Sequence, residues 1–77
     1  MKTVMIKLDS IAKVREFVDV VTRYHGEVQL SEGEYMVNGR SLLGIFSLNL
    51  EQDLQLKIQS EEHLEALLHD LEPYTVG

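Results

Sequence analysis

Cysteine is absent from the 77 residues. Without thiols there are no disulfide staples and no thiol nucleophile, and a reducing compartment is compatible with that composition. Cationic residues are scarce as well: Lys and Arg number 7 against 13 Asp and Glu, for a formal net charge of -6. That balance excludes nucleic acid as a partner, because phosphate binding needs Lys and Arg. It also disfavours anionic membrane surfaces. No long apolar run is present. Met1-Lys2-Thr3-Val4-Met5-Ile6-Lys7 holds nothing resembling a signal peptide or a membrane span, so a cytoplasmic protein is expected. G-x-G-x-x-G and P-loop patterns are missing too, which removes the usual nucleotide cradles.

What remains is ordinary globular material, 44% hydrophobic and 26% charged, enough for a single domain over residues 1–77. A chain of this size buries roughly 60% of its unfolded surface and has a stability of about 4–11 kcal/mol.

Val4, Ile6 and Leu8 alternate with Met5 and Lys7, the period of a half-buried strand. Asp9-Ser10 supplies capping chemistry, and Val14, Phe17, Val18 and Val21 then recur at helical spacing, joined by Tyr24. Gly26 lies just past that helix. Val28 and Leu30 begin a second strand, Ser31-Glu32-Gly33-Glu34 reads as a hairpin loop, and Tyr35-Met36-Val37 returns. Asn38-Gly39 ends the return strand and Ser41 opens a second helix. Leu54, Leu56 and Ile58 mark a fourth strand. Ser60-Glu61-Glu62 is the expected start of a third helix, whose buried stripe is Leu64, Leu67, Leu68 and Leu71. The order β-α-β-β-α-β-α implies an α+β, two-layer open-faced sandwich with helices on one sheet face. Thr3, Lys7, Gln29, Gln55 and Lys57 suit the open face.

The chemistry-bearing residues are few. His25 sits where a cation favours a helix C-terminus. His63 and His69 are six apart and do not share a helical face, so no metal site and no cofactor are expected. No carboxylate pair occupies an apolar setting that would raise a pKa for acid/base work. A non-enzymatic protein is the expectation.

Ser41 is the hydroxyl of most interest. As an N-cap it accepts a backbone N–H for about 1 kcal/mol. A phosphate added there would also meet unpaired helix donors. Behind it, Leu42, Leu43, Ile45, Phe46 and Leu50 cover more of the helix circumference than one stripe of ~100° requires. Some of them should be exposed for a protein partner, with Leu42 and Phe46 as an i,i+4 pair.

Ser41-Leu42-Leu43-Gly44-Ile45-Phe46-Ser47-Leu48 resembles the serine-led helix of HPr, the histidine-containing phosphocarrier family of the bacterial sugar phosphotransferase system. The element order is also that family's, which implies an antiparallel four-stranded sheet. Family members carry phosphate on a histidine at the start of the first helix, in a His-Ala-Arg-Pro type sequence. Counting back from Val28-Gln29-Leu30 places that position at about Ser10, followed here by Ile11-Ala12-Lys13. The resemblance therefore implies a divergent member that is not a competent phosphocarrier. In some members the serine of the second helix is a regulatory phosphorylation site and its apolar neighbours dock proteins. By that resemblance Ser41 is the regulatory site, and Leu42 and Phe46 are the contacts. The partners would be a regulator or phosphotransferase-system component, with a serine kinase among them. Two other readings stand beside it: a phosphocarrier using His25, and a small-ligand regulatory module.

Overall fold

The computed structural model of the chain describes residues 1–59 and 62–76. Its elements are β1 (Lys2–Ile6), α1 (Ile11–Thr22), β2 (Val28–Glu32), β3 (Tyr35–Asn38), α2 (Leu42–Phe46), β4 (Leu54–Ile58) and α3 (Leu64–Asp70), with a closing 3-10 turn at Glu72–Tyr74. The four strands form one antiparallel sheet in the order β1-β4-β2-β3. Among the described residues, no helix is long and apolar enough to cross a membrane.

Period-2 alternation sorts the strand residues. Ile6, Leu30, Leu54 and Leu56 are fully buried and pack with Phe17 and Val21 of α1. On the opposite face Lys57 lies across from Thr3 of β1 and from Gln29 of β2, a polar layer open to solvent. Lys7 falls outside that layer, because β1 ends at Ile6 and the Lys7 ammonium donates to the Glu51 carbonyl at 2.9 Å. Leu8 also lies beyond the strand, yet it is fully buried.

Two further boundaries differ from the sequence expectation. Ser31 and Glu32 belong to β2, paired with Met36 and Tyr35, so the hairpin turn is only Gly33-Glu34. Gly33 has φ 61°, a backbone region where glycine carries no Cβ penalty. Polar residues read as loop, but Ser31 is buried across from Gln55 of β4, and Glu32 accepts the Asn49 N–H at 3.3 Å. The third helix begins at Leu64, not at Glu62. Glu62 and His63 form a turn, and His63 is left-handed at φ 58° with no side-chain cap. The first apolar side chain to reach the core sets that start; Ser60 and Glu61 lie outside the described residues.

Two phenols lock α1 against the C-terminal elements. The Tyr24 hydroxyl donates to Asp70 at 2.5 Å, and the Tyr74 hydroxyl donates to Glu16 at 3.0 Å. Tyr74 also meets Phe17 edge-on, with ring centroids 6.4 Å apart. The hydrogen bond to Asp70 raises the Tyr24 pKa, and burial, then the bond to Glu16, raises that of Tyr74. A phenol whose folded pKa exceeds its unfolded value stabilises fully below that unfolded value. The contribution is lost as pH climbs through the higher folded value.

Urea unfolding should therefore show stability falling above the ordinary tyrosine pKa of 10.0. The doubly substituted Tyr24→Phe, Tyr74→Phe protein should show a smaller fall over the same range. A second test concerns Gly39, where an added Cβ would lie 2.8 Å from Val28 Cγ2 and 3.2 Å from the Val28 carbonyl oxygen. Gly39→Ala should cost about 1–3 kcal/mol by urea unfolding, with the m-value unchanged.

Candidate partner-docking site

The second helix is held by the turn that precedes it. The Gly39 N–H bonds to the Val28 carbonyl at 2.8 Å, ending the ladder between β2 and β3. Asn38 then turns the chain, its side-chain oxygen accepting the Arg40 N–H at 2.8 Å and its carbonyl accepting the Ser41 N–H at 2.9 Å. Ser41 is the N-cap, and its hydroxyl accepts the Gly44 N–H at 3.0 Å. Gly44 packs closely, since a Cβ there would stand 3.2 Å from Val37 Cβ.

Arg40 ties this turn to the end of α1. Its guanidinium donates to the Gly26 carbonyl at 2.7 Å and to the Tyr24 carbonyl. The two acceptors flank His25, which is exposed. Sequence reasoning missed this clamp, and no local signal announces it, because the acceptors lie 14 and 16 residues away.

From α2, Ile45 and then Leu48 enter the core, and the rest of the face follows from that anchoring. Leu42 is half-buried and packs against the core. Phe46 is 39% exposed and Leu43 is 83% exposed. Leu43, which the i,i+4 pairing passed over, is thus the most exposed apolar side chain of the helix.

Phe46 borders an open groove of about 580 Å³ between the start of α1 and the segment after α2. Leu8 and Leu48 are its buried apolar lining, and Ile11, 67% exposed, stands with Phe46 along it. Lys7, Asp9, Ser10 and Glu51 add polar groups. Ser10 caps α1, its hydroxyl accepting the Lys13 N–H at 3.1 Å. The Lys13 ammonium lies 3.1 Å from Asp9, and this hydrogen-bonded cation lowers the Asp9 pKa. Asp9 and Lys13 thus partly neutralise each other beside the cap. Apolar lining with a mixed polar rim is the usual composition of a protein contact.

None of the three histidines lies at the start of α1. His25 follows that helix at its far end, His63 precedes α3, and His69 is within it, 3.9 Å from the Glu72 carboxylate. The fold thus brings Ser10, Ile11 and Phe46 onto one groove, places Ser41 and Leu42 at the head of the same short helix, and leaves His25 apart.

The family model for the PTS HPr component phosphorylation site matches residues 12–74. The chain is similar to HPr-C-His from Thermoanaerobacter tengcongensis, with 24% identity over 92% of this chain and 90% of that one, at a TM-score of 0.75. It is also similar to the phosphocarrier protein HPr from Bacillus anthracis str. Ames, with 26% identity over 90% of this chain and 92% of that one, at a TM-score of 0.55. No curated protein sequence matches it. Taken with the sheet order and the serine-capped second helix, the match over residues 12–74 makes this chain a member of the HPr family of the phosphotransferase system.

Proposed function

We propose that this HPr-family domain works as a regulatory, non-enzymatic protein-binding module and not as a phosphocarrier. The observation that carries the reading is the groove itself. Exposed Ile11 and Phe46 line it, and Ser10 occupies the capping position of α1. A serine hydroxyl without an effective general base is a poor nucleophile: the adjacent Asp9 carboxylate is paired with Lys13, which lowers its pKa, and the Ser10 hydroxyl already accepts the Lys13 N–H. The groove keeps what a partner needs, an apolar contact with polar groups around it. It lacks what phosphoryl capture on nitrogen needs, an imidazole at the helix start.

Ser41 is the control point in this reading. Its hydroxyl is half-buried and adjoins Leu42 and Leu43. A phosphate there adds about two negative charges beside the exposed apolar side chains, which changes the surface a partner meets. The partner is a component or regulator of the phosphotransferase system, and its kinase is a serine kinase.

Incubation with phosphoenolpyruvate and the system's first enzyme should leave the intact mass unchanged. Acid-labile phosphate on any histidine, His25 included, would refute the reading. With ATP and the family's serine kinase, one phosphate should appear on Ser41 and on no other residue. The Ser41→Ala protein should stay unmodified and lose about 1 kcal/mol of stability through its missing cap. If Ser41→Ala takes up phosphate as the wild type does, Ser41 is not the switch.

A further inference from the structure

Asparagine occurs twice in the chain, as Asn38-Gly39 and as Asn49-Leu50. Both residues are exposed, and each side chain accepts the amide N–H two residues on, Arg40 at 2.8 Å and Glu51 at 3.1 Å. They differ in the residue that follows. An asparagine side-chain amide is open to attack by the next backbone nitrogen when no side chain on that next residue shields the approach. Leu50 brings a branched side chain. Gly39 brings none and has no room for one, because a Cβ there would stand 2.8 Å from Val28 Cγ2. The glycine that lets this turn close is thus the residue that exposes Asn38 to attack.

The two reacting groups are held in opposite ways. The Arg40 N–H on Asn38 Oδ1 polarises Cγ and is placed to steady the oxyanion of a tetrahedral intermediate. The nucleophile, by contrast, is locked. Gly39 is buried, and its N–H donates to the Val28 carbonyl at 2.8 Å. An amide nitrogen attacks only after losing its proton, and a bonded, buried N–H is shielded from base as it is from hydrogen exchange. This bond closes the ladder between β2 and β3, and the ends of elements open first.

We propose that Asn38 is a site of spontaneous deamidation and isomerisation, gated by the hydrogen bond from Gly39 to Val28. When that bond opens, base takes the Gly39 amide proton and the nitrogen bonds to Asn38 Cγ. The side-chain nitrogen leaves as ammonia, and a cyclic imide remains. Water then cleaves one of the two imide C–N bonds. Cleavage at Cγ gives aspartate, whereas cleavage at the main-chain carbonyl carbon gives isoaspartate, with the backbone routed through Cγ. In isoaspartate the two acceptors of the turn change places. The oxygen that accepts the Arg40 N–H joins the main chain, and the one that accepts the Ser41 N–H at 2.9 Å joins a side-chain carboxylate. The backbone also gains an atom, so the turn no longer seats Ser41 over α2 as before. This chemistry needs no phosphate on Ser41 and stands apart from that reading.

The full chain, held at mildly alkaline pH and physiological temperature, should form isoaspartate at residue 38 while Asn49 stays intact. Peptide mapping and labelling by an isoaspartyl methyltransferase read both sites. In unfolding guanidinium chloride the reaction at residue 38 should run roughly tenfold faster or more, since the locked N–H is then free. Below the unfolding transition its rate should rise in step with hydrogen exchange of the Gly39 amide. The isoaspartyl form, separated by its added negative charge, should show displaced amide shifts from Arg40 to Gly44. Asn38→Ser should take no label, folded or unfolded. Equal rates in buffer and in denaturant, or reaction at Asn49 as fast as at Asn38, would overturn the proposal. So would an unfolded chain that forms no isoaspartate at residue 38, or an isoaspartyl form whose α2 shifts are unchanged.

Discussion

A helix of five residues has no stability of its own. Nucleation costs more than so few backbone bonds return, so tertiary anchoring has to hold it. The anchors of α2 are Ile45 within it, Leu48 just beyond its end, both in the core, and the turn from Asn38 to Ser41 that fixes the first residue. That turn exists only because Gly39 lets the backbone close on Val28 without a Cβ in the way. Everything at the proposed docking face follows. With Ile45 turned inward, Leu43 and Phe46 face outward, and the apolar surplus read from the sequence becomes surface.

The first helix supplies the other half of the site and is fixed from both ends. At its start Ser10 and the Asp9–Lys13 pair complete the cap beside the groove. At its far end Arg40 holds the carbonyls of Tyr24 and Gly26, while Tyr24 itself reaches Asp70. The second helix is thus bonded through its leading turn to the loop after the first, and that loop to the third. Ser41 sits next to the residue that makes the join. In the proposed reading, a charge added at Ser41 would act where the proposed docking surface meets the scaffold.

Much of this was legible in the chain. Caps at Ser10 and Ser41 could be read because a hydroxyl before an apolar helical pattern has one common use. The strands showed because one buried face forces alternation, as in Leu54, Leu56 and Ile58. Where the sequence misled, a long-range term had overridden a local one. Ser31 and Glu32 pair in the ladder because partners distant in sequence accept them: Ser31 is buried across from Gln55 of β4, and Glu32, in phase with Leu30, accepts the Asn49 N–H at 3.3 Å. Leu42 and Leu43 could not be ranked, since a helix of little more than one turn has no period to read. Its inward direction is set by Val37 and the rest of the core. The Arg40 clamp had no local signature, because carbonyl acceptors carry no side-chain identity.

The measurement that tests the central claim most directly is an amide titration of the labelled domain with the first enzyme of the phosphotransferase system. It would be run without phosphoenolpyruvate and repeated on the form phosphorylated at Ser41. The account predicts shifts gathered on Ile11, Leu43, Phe46 and the residues lining the groove, and weakened or redirected in the phosphorylated form. Shifts centred on His25 or α3, or a map unchanged by phosphate at Ser41, would contradict it.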